Sequence, residues 1–263
     1  MLEKQRQQVI LDILAEKGFA SVTYLSDQLN ASEATIRRDL IKLGELNKIE
    51  KIRGGAQALK DVESGKTPQS LQASNFLIDR EIRPATKRAI AQKAVSICDD
   101  GEAIIVNGGS STYMMSEFLV QRNLSILTNS FYLAQDLVSN GSNQVTLPGG
   151  EIYRRQGIVL SAFENDTIQH YHGTKMFMGT PGIGEFGVME SDPLLIRAEQ
   201  KLLKQADQLV ILADSSKLGK RSNLIFTGLD TVDVIITDSG ADPKLLALFA
   251  KHNIEIHLVD QID

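Results

Sequence analysis

The chain of 263 residues holds one cysteine, Cys98, so no internal disulfide can form and nothing demands an oxidising compartment. The residues around Cys98 read as the end of an amphipathic helix, which makes it a small core residue. No apolar run approaches the roughly 20 residues that a membrane span requires. The opening Met1-Leu2-Glu3-Lys4-Gln5-Arg6 lacks the apolar core of a signal segment. These absences lead us to expect a soluble cytoplasmic protein without a membrane partner. His170, His172, His252 and His257 stand without a Cys or carboxylate cluster at metal spacing. His170 and His172 alone make a weak zinc pair, and no metal is expected. The glycine-rich run Gly179–Gly187 is not followed by a Lys-Ser or Lys-Thr pair, which excludes a Walker loop. A loop lining a binding crevice is the better reading. No Ser-His-Asp arrangement can be read, so no catalytic residue and no cofactor is assigned. Internal repeats and long charge runs do not stand out.

What the chain does have is material for a core, with 42% hydrophobic and 23% charged residues. Its length suits one large domain or two modest ones. The net charge of −5 hides an asymmetry. Residues 1–60 carry 10 basic and 8 acidic groups, whereas the remainder carries 18 and 25. A small basic unit joined to a larger acidic one hints at a nucleic-acid contact in the basic part, although ordinary solvated charge explains so small an excess equally well.

The first sixty residues sharpen that hint. Val9, Ile10, Ile13 and Leu14 mark one face of a helix that should stop at Gly18. Val22-Thr23-Tyr24-Leu25 leads into a second helix, and Asn30-Ala31 is a tight turn. Ser32 reads as an N-cap with Glu33 in the first turn, opening a third helix to about Leu46. Its inward stripe is Ile36, Leu40 and Leu43; Arg38 projects opposite, and Thr35, Arg37 and Lys42 lie on the flanks. That is helix-turn-helix geometry, in which the second helix of the pair enters the major groove. The alternating run Lys48–Arg53 and the Gly54-Gly55 turn predict a basic hairpin, the wing, with Lys51 and Arg53 within reach of phosphates or a minor groove. Geometry alone leaves a protein-docking module with solvated arginines as the alternative.

The segment Ala31-Ser32-Glu33-Ala34-Thr35-Ile36-Arg37-Arg38-Asp39-Leu40, followed by Arg53-Gly54-Gly55-Ala56, resembles the signature of DeoR-type bacterial transcription regulators. The resemblance implies that Ser32, Thr35, Arg37 and Arg38 touch DNA and that Asp39 orients a neighbouring arginine or caps locally. The chain departs from the family's habit at Asn47, where Gly is common, and at Arg53, where His is common.

Beyond position 60, Ser64-Gly65-Lys66-Thr67-Pro68 marks an exposed linker. Residues 76–86 are charged and helical in part, and Lys87–Ile97 is an amphipathic helix. Apolar runs at 103–106, 124–128, 145–147, 176–178, 209–213, 234–237 and 254–259 predict strands. Helical stretches at 112–121, 131–139, 193–205 and 243–252 separate many of them. Such alternation predicts a parallel sheet covered on both faces, with ligands beyond the carboxyl ends of the strands. Those ends are polar: Asn107-Gly108-Gly109-Ser110-Ser111-Thr112, Thr128-Asn129-Ser130, Gly149-Gly150 and Asp214-Ser215-Ser216-Lys217. Free backbone N–H groups of Gly109–Thr112 at a helix start, with the cation of Lys217, suit a phosphate, while Asn107, Asn129 and Asp214 suit sugar hydroxyls. Each element has a plainer reading as well: a tight turn for the glycines, a surface lysine for Lys217, a solvated loop for Arg154-Arg155, and a water-facing Glu199.

These positions, with Gly182 and Gly187, also match the sensor domains of DeoR-type regulators, which look like sugar-phosphate isomerases of the ribose-5-phosphate type. The family commonly carries Asp where Asn107 stands. The stretch from Ser191 to Lys201 resembles a subgroup that includes an ascorbate-6-phosphate-responsive repressor. The fold class implied is α/β: an N-terminal winged helix-turn-helix at 1–58, a linker at 59–75, and a Rossmann-like, isomerase-like sensor and oligomerisation domain at 76–263. The expected function is a repressor of carbohydrate use, binding a double-stranded operator as a dimer or tetramer and answering to a sugar phosphate. The competing class is a sugar-phosphate isomerase with an appended DNA-binding head.

Overall fold

The computed structural model describes residues 6–7, 9–11, 13–14, 19–29, 31–46, 48–52, 54–58, 76–80, 82–154, 156–161 and 166–260. The chain divides into two compact units, Met1–Thr67 and Pro68–Asp263. Gly18, Asn30, Asn47, Arg53, Arg155 and the expected linker at 59–75 lie outside the described residues, as does the side chain of Lys51.

In the first unit, β1 (Phe19–Ser21) leads into α1 (Val22–Leu29) and α2 (Glu33–Glu45). The strands β2 (Ile49–Ile52) and β3 (Gly55–Ala58) pair antiparallel, and β1 joins the free side of β3. The turn between them places Gly54 at φ +87, a conformation that only glycine adopts without strain. Ile10, Leu14, Leu25, Leu29, Ile36, Leu40, Leu43 and Ile49 share one buried cluster. The spacing of Ile36, Leu40 and Leu43 along α2 thus does what its periodicity predicts.

The second unit begins, among the described residues, with α3 (Phe76–Asp79) and α4 (Pro84–Ser96). Seven strands then form a parallel sheet: β4 (Ala103–Val106), β5 (Ser125–Thr128), β6 (Gln144–Thr146), β9 (Gly173–Gly179), β12 (Ala206–Leu212), β14 (Val234–Asp238) and β15 (Glu255–Val259). Their order across the sheet is β15-β14-β12-β9-β4-β5-β6. Alternate residues of each strand enter different cores, as the pleat requires. Ile104, Val106, Ile126, Phe177, Val210 and Ile236 face one cluster with Ile90 and Ala94 of α4. Ile105, Leu127, Met176, Met178, Ile211 and Ile235 face the other, against Leu202 and Phe249. The helices over the sheet include α5 (Ser110–Tyr113), α6 (Ser116–Leu119), α7 (Phe131–Asn140), α8 (Pro193–Leu203) and α9 (Pro243–Lys251).

Two expectations change. The single helix expected at 112–121 is two four-residue helices. The hydroxyl of Thr112 donates back to the carbonyls of Asn107 and Gly109, at 2.9 and 3.0 Å, rather than facing away from the turn. The glycine-rich run is mostly not loop. Beyond Pro181 it forms a hairpin of β10 (Gly182–Gly184) and β11 (Gly187–Glu190), and β11 pairs with β13 (Leu224–Thr227). Gly187 has φ +110, and a Cβ there would lie 2.1 Å from the Thr227 carbonyl, so glycine is what lets the strands approach. A further hairpin joins β7 (Glu151–Tyr153) to β8 (Ile158–Leu160).

Cys98 is buried, and loss of water around its sulfur pushes the thiol up to about 12. The native protein should therefore leave a disulfide reagent unreacted at pH 8, and denaturant should release one reactive thiol per chain. Rapid reaction of the native protein would place Cys98 outside the core.

Candidate nucleic-acid interface and effector crevice

The first candidate site is the solvent face of α2. Ser32 caps the helix: its Oγ accepts from the Thr35 N–H at 3.3 Å and sits 2.9 Å from the Thr35 hydroxyl. Arg37 reaches back to Glu33 at 3.1 Å, and Thr23 donates to Glu33 at 2.9 Å. The Thr23 and Arg37 hydrogen bonds hold the Glu33 carboxyl below its ordinary range. Arg37, Arg38 and Lys42 are exposed, and Arg38 has no partner among the described residues. Asp39 points the other way. It is buried and accepts from Arg6 Nε at 2.6 Å and Gln7 Nε2 at 3.3 Å, tying the first helical stretch to α2. Ser32, Thr35, Arg37, Arg38 and Lys42 therefore share one accessible face, and Gly54 lies exposed at the hairpin turn.

The second is a crevice of about 250 Å³ at the carboxyl ends of β4 and β9, where the sheet order switches direction. Gly108, Gly109, Ser110 and Ser111 line it from β4, Gly179, Thr180 and Pro181 from β9, and Lys217 and Lys220 from beyond β12. The remaining predicted positions take supporting places. The Asn129 Oδ1 accepts from the Gly108 N–H at 2.8 Å, fixing the loop from behind. Thr128 is buried and holds the Ser130 N–H at 3.0 Å. Asp214 is buried, caps the turn that carries Lys217 through Ser216 N–H at 3.0 Å, and meets Arg83 at 3.3 Å. Gly149 and Gly150 are exposed and do not line the crevice. Arg154 is also exposed and is not among the lining residues.

Three groups escaped the sequence reading. Lys87 is buried, and its ammonium donates to the Asp79 carbonyl and to Ser110 Oγ at 3.1 Å. Burial lowers its pKa, and Lys217 nearby adds to that, against Asp214 and Asp79. Its signal was a charge on the same helical stripe as Ile90 and Ala94. Glu199, expected to face water, is 2% exposed and accepts from Asn107 Nδ2 at 2.8 Å. Burial and then the neighbouring Glu190 raise its pKa well above the ordinary carboxylate range. Glu190 is itself buried and likewise raised by burial. Because α5 has only four residues, a helix dipole contributes little at Ser110, and the positive end of the crevice rests on Lys87 and Lys217. Among the described residues no group of three or more His, Cys, Asp or Glu is placed to hold a metal ion, and His172 pairs with Asp207 at 3.2 Å.

The model of the DeoR-like helix-turn-helix domain matches residues 6–62, and that of the DeoR C terminal sensor domain matches residues 82–239. The chain belongs to the DeoR family. It is a helix-turn-helix transcriptional regulator with a C-terminal sensor domain. The HTH-type transcriptional regulator UlaR of Shigella flexneri is 34% identical over 257 residues, covering 97% of this chain and 99% of the relative. UlaR of Escherichia coli O139:H28 matches to the same extent. Solved structures are more distant. Ribose 5-phosphate isomerase A of Methanocaldococcus jannaschii is 17% identical with a TM-score of 0.39, over 53% of this chain and 56% of that one. The beta subunit of eIF2B from Chaetomium thermophilum is 13% identical with a TM-score of 0.40, over 60% and 52%. Likenesses this remote carry no argument about the DeoR-family sensor. Among the described residues no helix is long and apolar enough to cross a membrane.

The Asn107–Glu199 contact generates a test. Asn107→Asp replaces a donor with a second carboxyl against a buried one, so the pair must share a proton. Its folded-state pKa then lies above the unfolded value, and stability falls as pH rises through it. Unfolding free energies from urea titration should drop more steeply from pH 5 to pH 8 in the variant than in the parent, by about 1–3 kcal/mol. Parallel pH profiles would remove the Asn107–Glu199 hydrogen bond from the account.

Proposed function

We propose that this regulator is a cytoplasmic repressor of a carbohydrate-utilisation operon, and that a sugar phosphate in the crevice adjusts its grip on the operator. The reading organises the chain as a DNA-binding domain at 1–58, a linker at 59–75 and a sensing and oligomerisation domain at 76–263. Ser32, Thr35, Arg37, Arg38 and Lys42 meet double-stranded DNA from α2, with Lys51, Arg53 and Gly54 in the wing. A single reading head has limited affinity, so the working form is a homodimer or tetramer on paired half-sites. Gly109, Ser110, Ser111, Thr112 and Lys217 hold the phosphate; Asn107, Thr128 and Asn129 shape the sugar side, and Asp214, expected there too, caps the turn that carries Lys217. Of the expected set, Gly149 and Gly150 are left without a role in the crevice. The site senses rather than catalyses, in keeping with the regulators it resembles over 97% of its length.

One observation carries the effector reading: backbone N–H groups of a glycine-serine loop, a buried lysine bonded to that loop and a second lysine converge at the sheet's switch point. A thermal-shift panel tests it, because a ligand that binds only the native state raises the melting temperature. The panel contains inorganic phosphate, ribose 5-phosphate, fructose 6-phosphate, glucitol 6-phosphate and ascorbate 6-phosphate, the last chosen from the resemblance at 191–201. Stabilisation by at least one ester is expected; indifference to all of them would dismiss the reading.

Two variants separate the roles. Arg38→Ala should weaken gel retardation of the operator by about tenfold, with the circular dichroism spectrum unchanged. Equal retardation would remove Arg38 from the interface. Lys217→Ala should retain the operator yet lose the response to the effector, a coupling of about 1–3 kcal/mol. A normal response would take Lys217 out of the phosphate site.

A further inference from the structure

The phosphate reading leaves part of the crevice lining unexplained. Glu190, Ser191, Leu195 and Glu199 belong to that lining. Glu199 is 2% exposed, yet only one of its oxygens is used: Oε1 accepts from Asn107, and Oε2 has no hydrogen-bond partner. Glu190, 5% exposed, spends Oε1 on the N–H of Ser191 at 2.6 Å and on its hydroxyl at 3.2 Å. Neither carboxyl has a cationic partner among the described residues. Behind the same loop, the Nδ2 of Asn129 is also buried and unpartnered. Buried polar atoms are nearly always paired, and one left open beside a cavity marks a place that something else fills. A buried ionised pair without a cation is prohibitively costly, so at least one proton resides on these two carboxyls at neutral pH.

We propose that Glu199, aimed by Asn107, is the hydroxyl-reading end of the effector crevice, its free Oε2 hydrogen-bonding a neutral hydroxyl of a phosphorylated polyol or sugar. The proposal rests on the sugar-phosphate reading and adds a selectivity to it. Cations hold one end of the ligand and an uncharged acid reads the other, so a ligand is rewarded for a hydroxyl at the far end. The groups facing Glu199 are Glu190 from β11 and Asn107 from the end of β4, with Lys217 and Lys220 across the crevice. Burial raises the pKa of both carboxyls, and each stands beside the other without a cation.

Isothermal titration with full-length protein tests this, using the three neutral sugar phosphates of the panel from pH 7 to pH 9, where an ester of second pKa about 6 is already largely a dianion, and inorganic phosphate at the upper end of that range, where it is one too. Glu199→Leu should lose about tenfold or more in affinity for the best of the three and keep inorganic phosphate within about twofold. Glu199→Gln keeps the shape of the neutral acid and should bind within about threefold of the parent at pH 7. Wherever a rise in pH ionises Glu199, the parent should weaken and Glu199→Gln should not. Should Glu199→Leu fail to fold, the contrast between the parent and Glu199→Gln decides. Undiminished sugar-phosphate binding by Glu199→Leu overturns the proposal, as does a Glu199→Gln that binds about tenfold or more weakly than the parent at pH 7. If no neutral sugar phosphate binds the parent, the fault lies with the effector reading beneath it.

Discussion

The side-chain amide of Asn107 holds together segments that are remote in sequence. Its Nδ2 donates to Glu199 on α8, and its Oδ1 accepts from the Gly179 N–H at the end of β9, at 3.1 Å. The backbone carbonyl of the same residue receives the Thr112 hydroxyl. A carboxylate offers no donor, and an apolar side chain offers neither half, so an amide satisfies this position unaided. Two lining residues of the crevice, Gly179 and Glu199, are tied together through that one group. Asn107 fixes the distance between the strand ends, and Asn129 fixes the loop laid over them.

Charge around the crevice falls into two groups. Lys87 feels Lys217, Asp214 and Asp79, with Arg83 paired to Asp214, whereas Glu199 feels Glu190. Burial drives the two groups in opposite senses, lowering the pKa of Lys87 and raising those of the glutamates. A like-charge neighbour reinforces burial in each case, Lys217 for the lysine and Glu190 for Glu199. Burial and like-charge neighbours that shift pKa values in this way cluster at functional sites.

Much of the fold was legible. Strands at all seven apolar runs follow from continuous hydrophobic stretches too short for buried helices, and the α2 stripe follows from its 3.6-residue period. Their order was not, because pairing β9 with β4 is a contact across some seventy residues that no local pattern records. The β10–β11 hairpin hid behind its glycines, which read as loop and in fact allow close strand packing. In the crevice, hydroxyls and glycines at strand ends were visible as motifs. Lys87 and Glu199 were not, since a charge on an amphipathic helix reads as solvated until the tertiary fold buries it.

Each buried apolar cluster draws its members from a single unit: residues 10–56 in the first, and residues 90–254 in the two that flank the sheet. A void opened in one cluster removes no packing from the others. Among the described residues, recombination near the unit boundary would divide none of these clusters, so one DNA-reading unit can be exchanged for another while the crevice of the second unit keeps its own packing. Two interiors packed separately let promoter choice and metabolite choice change independently.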